Sequence, residues 1–79
     1  MTEKQRLVLI FIAAYNKLKG FSPSMQDVAT GMGLRSRSNM HRMIHSLIEQ
    51  GYLGLNKSKA RTVRLLAKAK EYIEKKVKP

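Results

Sequence analysis

The sequence has 79 residues, which is enough for one domain with a modest hydrophobic core. Sixteen basic and five acidic residues give a net charge of +11, and a field of this sign favours polyanions such as DNA, RNA or an acidic membrane surface. The lack of cysteine excludes disulfide bonds and cysteine-ligated metals. The apolar run at 7–14 is far shorter than the roughly 20 residues that span a membrane, so we expect a cytoplasmic protein without a membrane partner.

The first two helices are indicated by capping residues and by glycines that follow them. Thr2 and Gln5 predict a capping box at the start of the first helix, and Gly20 predicts its end. Ser24 is expected to cap the second helix, with Gly33 in the left-handed turn that ends it. Helical spacing predicts the inward face of the first helix, formed by Val8, Phe11, Ile12, Tyr15 and Leu18.

The third helix is predicted to begin near Ser36 and to end at Gly51. Its inward face should consist of Met40, Ile44, Leu47 and Ile48. Two short strands are expected at 52–55 and 61–65, and the polar residues between them predict a hairpin with a basic tip. A lysine-rich last helix is expected over residues 67–78.

This order of elements predicts a mainly α fold with a small β-hairpin, a winged helix-turn-helix with a three-helix core and a C-terminal helix. Its DNA-binding domain would cover residues 1–66, followed by a basic C-terminal helix at 67–79. The major groove, about 12 Å wide, admits one α-helix, so residues 36–50 are the predicted recognition helix. Residues 56–61 are the predicted wing on the DNA backbone. Residues 35–64 hold seven basic residues and one acidic residue, which is where a polyanion is expected.

The candidate DNA-binding residues are polar or basic side chains on the third helix and the hairpin. Amide and guanidinium groups pair with base edges, and cations pair with phosphates. Base reading is expected from Ser36, Ser38, Asn39, His41 and Arg42. Backbone affinity is expected from Arg35, Lys57, Lys59, Arg61 and Arg64. Arg37, His45 and Ser58 complete the candidate set.

Residues 2–66 resemble, without a gap, the amino-terminal DNA-binding domain of LexA-type SOS repressors. The resemblance is carried by ordered short pieces: Thr2, Gln5, Val8 and Ile12, then Gly20, Pro23 and Ala29, then Gly33-Leu34-Arg35-Ser36, Leu47, Gly51 and Leu53, and finally Arg61 and Val63-Arg64-Leu65-Leu66. In that family the third helix reads the operator and the wing contacts DNA. The resemblance therefore implies a transcriptional regulator that represses or activates a promoter, with repression favoured. A lone regulator of 79 residues suits a prokaryote or a phage.

The sequence also differs from that family in two respects. Ser36 matches a base-contacting position, but His41 and Arg42 stand where the family commonly has two acidic residues. We therefore expect a different operator, richer in guanine contacts. LexA-type repressors continue into a peptidase domain with a Ser/Lys dyad, which these residues do not include. From residues 1–79 we expect no enzymatic activity, no self-cleavage and no dimerisation through that domain.

Two apolar stripes lack a predicted partner. One lies on the first helix and consists of Leu7, Ile10 and Ala14. The other lies on the last helix and consists of Leu66, Ala69, Ile73 and Val77. Such stripes are expected to meet, within one chain or across a homodimer.

Other interpretations remain open at this point. The chain could be a protein-interaction module that binds another regulator or a polymerase through Met43 or the first helix, or a nonspecific nucleic-acid binder. His41, His45 and Glu49 share one helical stripe, but no fourth zinc ligand is suggested, so no metal or cofactor is expected.

Overall fold

The computed structural model describes residues 1–56 and 62–76, apart from the side chains of Arg37 and Lys76. Its elements, in chain order, are α1 Glu3–Lys19, α2 Met25–Met32, α3 Arg37–Glu49, β1 Leu53–Asn56, β2 Thr62–Leu65 and α4 Ala67–Lys76. The predicted winged helix-turn-helix, mainly helical with one antiparallel hairpin, is confirmed. No helix in the described ranges combines the length and the apolar character that crossing a bilayer requires.

Local capping explains where the first two helices begin and end. Thr2 accepts a hydrogen bond from the backbone N–H of Gln5, whose side chain accepts one from the backbone of Thr2 in return. Ser24 and Asp27 form the same reciprocal pair at the start of α2. Gly20 and Gly33 end the two helices at φ values of 82° and 68°, a left-handed conformation that suits glycine. The predicted caps are therefore confirmed.

The hydrophobic core lies where the helices and the hairpin meet. Its buried members come from every element: Val8, Leu9, Ile12, Met25, Val28, Ala29, Met40, Ile44, Leu47, Leu53, Val63 and Ala69. One predicted inward residue is wrong, because Leu18 is 83% exposed in the last turn of α1, beyond the core. Leu9, which the predicted stripe omits, is fully buried. Since α1 contacts α2, β2 and α4, its buried surface is wider than one stripe.

The hairpin is attached to the helical core at its base. Leu53 pairs with Leu65 and Asn56 with Thr62, as expected for antiparallel strands. Val63 is fully buried, and its N–H donates to the Pro23 carbonyl at 2.8 Å. This bond ties β2 to the connection between α1 and α2, so the base of the hairpin is anchored to the helices.

The last helix packs against the first helix of the same chain. This is one of the two predicted arrangements, the other being a contact across a homodimer. Ala69 is fully buried and Ile73 packs against the core. Leu7 remains 41% exposed and Ala14 is exposed, so part of the α1 stripe is not covered by α4. Of the other two residues predicted on the last helix, Leu66 is half-buried and Val77 lies outside the described residues.

A hydrogen-bonded carboxylate joins α1 to the start of α2. The Asp27 carboxylate accepts from the backbone N–H of Ser24 at 3.0 Å and from the Tyr15 hydroxyl at 3.2 Å. The Ser24 N–H is the main reason that the pKa of Asp27 is lowered, while partial burial opposes the shift. Burial raises the pKa of Tyr15, and its bond to Asp27 adds to that rise.

We expect the Asp27 carboxylate to make the free energy of unfolding depend on pH in the acidic range. The folded-state pKa of Asp27 lies below its ordinary value, about 3.9 in an unfolded chain. Its contribution is therefore fully present above that value and is lost as the pH falls through the folded-state pKa. Asp27→Asn should flatten the decline in the free energy of unfolding between about pH 5 and pH 2. Urea denaturation at several pH values measures this, with the exposed Glu74→Gln as the control. An unchanged acid slope in Asp27→Asn would contradict the assignment.

A close approach of α1 and α2 explains the glycine inside the second helix. A Cβ at Gly31 would lie 2.2 Å from both Cε2 and Cζ of Phe11. Although alanine is favoured over glycine in a helix by about 1 kcal/mol, overpacking of this kind typically costs about 1–3 kcal/mol. We expect Gly31→Ala to lower the free energy of unfolding in the wild-type background and to raise it when Phe11 is leucine. Equal effects in the two backgrounds would show that the Phe11 ring is not the obstacle.

Candidate nucleic-acid interface

One side of α3 is buried and the opposite side is free. Met40, Ile44 and Leu47 face the core. Of the predicted reading residues, Ser36, Ser38, Asn39 and Arg42 are exposed and His41 is half-buried; His45, from the wider candidate set, is also exposed. The helix therefore presents hydroxyl, amide, imidazole and guanidinium groups together, which are the groups that pair with base edges.

Ser36 has a structural role in addition to its predicted role in reading bases. Its hydroxyl oxygen accepts from the backbone N–H of Asn39 at 3.3 Å and so caps α3. The hydroxyl proton is not used in that bond and can still be donated. The first turn of α3 contains no acidic residue, so no carboxylate of that turn competes with a phosphate for the positive end of the helix dipole.

The two histidines of α3 lie one turn apart and stack. Their ring centroids are 6.0 Å apart, with 18° between the ring planes. Among the described residues, no group of three His, Asp, Glu or Cys side chains is arranged to hold a metal ion. The two imidazole rings extend the polar surface of α3 and offer hydrogen-bond donors and acceptors along it.

A side-chain hydrogen bond links α1 to α3. The Gln5 side-chain amide donates to the Ser46 hydroxyl at 3.1 Å, while its oxygen stays in the capping box of α1. The Gln50 side chain also donates to Ser46 at 3.1 Å. Ser46 thus joins the first turn of α1 to the last turns of α3. Sequence reasoning missed this residue, because its partner Gln5 lies 41 positions away.

An open groove of about 610 Å³ runs between the start of α1 and the exposed side of α3. It is lined by Thr2, Glu3, Lys4, Gln5, Leu34, Asn39, Arg42, Met43 and Ser46. The groove brings the exposed Lys4 to the same side as Asn39 and Arg42. Lys4 was not among the predicted contacts, and the signal that could have found it is a basic residue in the first turn of α1, next to the Gln5 that bonds to Ser46 of α3.

The cations near α3 have no acidic partners within the described parts of the chain. The two ion pairs seen there join Glu3 to Arg6 and Glu71 to Lys75. Arg35 and Arg42 are exposed on the α3 side. Arg64 is exposed on β2, directly opposite Gly54 in the hairpin. These cations are thus available to an external anion.

The rest of the predicted site cannot be placed. The side chain of Arg37 and the whole of Lys57, Ser58, Lys59 and Arg61 lie outside the described residues. The described hairpin ends at the paired residues Asn56 and Thr62. That the hairpin tip and α3 face the same duplex therefore remains a prediction.

The chain is similar to a known family of proteins. Residues 1–62 match the family model described as LexA DNA binding domain. The LexA repressor of Clostridioides difficile (strain 630) is 37% identical over 70 residues, covering 89% of this chain and 33% of that repressor. The LexA repressor of Rhodospirillum rubrum is 41% identical over 66 residues, covering 84% of this chain and 26% of that protein.

A third relative extends the similarity nearly to the end of the chain. The LexA repressor of Clostridium kluyveri is 34% identical over 80 aligned positions, covering 94% of this chain and 40% of that repressor. Across these three relatives, the chain spans between 26% and 40% of their length. The similarity therefore concerns one part of each repressor, the part that includes its DNA-binding domain.

Proposed function

The chain belongs to the LexA DNA binding domain family, and from this premise we propose that it binds duplex DNA sequence-specifically and represses transcription. In the proposed complex α3 enters the major groove and the hairpin lies on the backbone beside it. The observation that carries the proposal is the exposed side of α3, which is rich in base-pairing groups and has unpaired cations near it. Such a protein would lie on the nucleoid, in the cytoplasm of a prokaryotic cell.

We assign base reading to the exposed side chains of α3. Asn39 can pair with adenine through two hydrogen bonds, and Arg42 with guanine in the same way. Ser36 and Ser38 can donate to either kind of base edge, and the stacked rings of His41 and His45 extend the surface toward the next base pair. Because His41 and Arg42 can each donate to guanine, an operator with guanines under the middle of α3 is favoured.

We assign backbone binding to the cations around α3. Arg35, Arg64 and Lys4 are exposed and can pair with phosphates. The hairpin tip adds Lys57, Lys59 and Arg61, with Ser58 as a neutral donor, and the start of α3 adds Arg37. Contacts of this kind raise affinity for every sequence and make it depend on salt.

We also propose that two copies of the chain form a homodimer. The α1 surface around Leu7 and Ala14 stays uncovered by α4 and is the support for a contact between two copies. Two copies on one operator would place their half-sites about 10 bp apart or a multiple of that. Ile10 and Ile73 are half-buried and would lie at the margin of such a contact.

Selection of bound sequences from a random duplex pool tests the proposal. We expect an enriched motif that the protein binds roughly 10³-fold or more tightly than a scrambled duplex at fixed salt. An inverted repeat in that motif would support the homodimer, and a single half-site would argue against it. Equal binding of selected and scrambled duplexes would favour a nonspecific binder, and no binding would favour a protein-interaction module.

Changes at Ser36 separate its capping role from DNA binding. Aspartate caps helices as well as serine does, whereas loss of the cap in Ser36→Ala should cost about 1 kcal/mol. We expect Ser36→Asp to keep the free energy of unfolding while weakening binding to the selected duplex roughly tenfold or more, because its carboxylate faces the DNA.

Asn16→Asp adds the same negative charge at a position remote from α3 and serves as the control for net charge. Asn16 lies about 16 Å along α1 from Gln5, which is a residue of α1 that contacts α3. Fluorescence anisotropy with labelled duplexes and urea denaturation measure the two effects. If Ser36→Asp and Asn16→Asp weakened binding equally, the start of α3 would not lie at the DNA.

Arg42 and Lys59 should affect binding in different ways. Arg42→Ala is expected to cost about 1–3 kcal/mol with the selected duplex and to relax preference at one base pair. Lys59→Ala should weaken all duplexes alike and reduce the slope of log K against log salt by about one. Salt titrations with selected and scrambled duplexes measure both. Base reading by Arg42 would be disproved if Arg42→Ala weakened every duplex to the same extent.

A further inference from the structure

The C-terminal end of α3 lacks a cation of its own. A helix leaves its last carbonyl groups without partners in the helix, and they carry the negative end of its dipole. The last turn of α3 contains no basic residue, and Glu49 adds a negative charge there. Gln50 follows as the capping residue and Gly51 turns the chain at a φ of 85°. Any positive charge at this end must therefore come from another element.

Lys68, in the first turn of α4, supplies that charge. Its Nζ donates to the backbone carbonyl of Gln50 at 2.7 Å and lies 4.6 Å from the centroid of the Tyr52 ring. Both contacts suit an ammonium group, one as a hydrogen bond to a helix end and the other as a cation–π contact. The stem of Lys68 passes over Gly51, where a Cβ would lie 3.8 Å from its Cδ.

The start of α4 is fixed to the same loop by further contacts. The Leu66 N–H donates to the Tyr52 carbonyl at 3.0 Å, and Ala69 is fully buried. The Tyr52 and Tyr72 rings meet edge to face, with centroids 5.9 Å apart. Lys68 thus bridges from an anchored helix to the end of α3, whereas Lys70 of the same helix points to solvent. The match to the family model ends at residue 62, so Lys68 lies beyond it, whereas Gln50 and Tyr52 lie within it.

We propose that Lys68 is a positioning residue that holds the C-terminal end of α3 and thereby sets how α3 is presented to DNA. This inference rests on the proposed function for its consequence, but the bridge itself belongs to the free protein. Lys68 does not need to touch DNA, because its ammonium group is already directed at Gln50 and Tyr52. Its loss should loosen the end of α3 and reduce discrimination between sequences more than overall affinity.

The first test measures the free protein. Hydrogen exchange reports the amides of Gly51 and Tyr52, which donate to the carbonyls of Ile48 and Leu47 at 3.0 Å each. In Lys68→Met we expect these two amides to exchange about threefold faster or more, which is the usual size of a charge effect at a helix end. Core amides such as that of Ile12 should be unchanged. Lys68→Arg keeps a cation that can donate to Gln50 and should restore protection.

Lys70→Met removes the same charge from an exposed position of α4 and is the matched control. It should leave the amides of Gly51 and Tyr52 as they are in the wild type. Two results would overturn the proposal: equal exchange in Lys68→Met and Lys70→Met, or a uniform rise in exchange over the whole chain, which would indicate only a general loss of stability.

The second test measures DNA binding with the selected and scrambled duplexes. Lys68→Met should lower the ratio of the two affinities about threefold or more, in keeping with the loosened helix end, with the salt slope unchanged. A slope reduced by about one with both duplexes weakened equally would instead identify Lys68 as a phosphate contact and overturn the positioning role. If the wild type prefers no duplex, the proposed function fails, and hydrogen exchange alone decides the role of Lys68.

Discussion

The burial of one side of α3 in a small shared core is the constraint on which the rest of the molecule depends. Met40, Ile44 and Leu47 occupy that core together with residues from every other element. Turning the helix about its axis would expose these side chains and bury Asn39 or Arg42, at about 1.5–3 kcal/mol for each large apolar residue exposed. The side that faces outward is therefore determined by hydrophobic burial before any contact with DNA is made.

Polar contacts add to the apolar packing in holding α3 in place. Gln5 and Ser46 hold one point on the helix against the start of α1, and Ser36 closes its first turn. The hairpin is held separately through the bond between Val63 and Pro23. The Gln5–Ser46 and Val63–Pro23 bonds each link an element of the proposed interface to a different part of the helical scaffold. The proposed reading surface thus rests on several short polar contacts of modest individual strength.

Sequence reasoning succeeded where the determining partners are close in the chain. The caps at Thr2 and Ser24 and the turn at Gly33 depend on residues three or four positions away, and the hairpin depends on alternation within a few residues. It failed at Leu9 because α1 is covered by α2, β2 and α4 together, and at Leu18 because the last turn of α1 extends beyond the core. Gln5–Ser46 and Lys68–Gln50 could not be predicted, since either partner taken alone looks like an ordinary surface residue.

The groove between α1 and α3 has a practical consequence for handling the protein. Thr2, Glu3 and Lys4 form one of its walls, opposite Asn39 and Arg42. Any peptide fused ahead of Met1 therefore starts at the mouth of the groove. In the proposed complex, an affinity tag at that terminus, particularly an acidic one, would compete with the duplex for the same space. Purification with the tag at the other terminus, or with the tag removed by a protease, keeps this approach open.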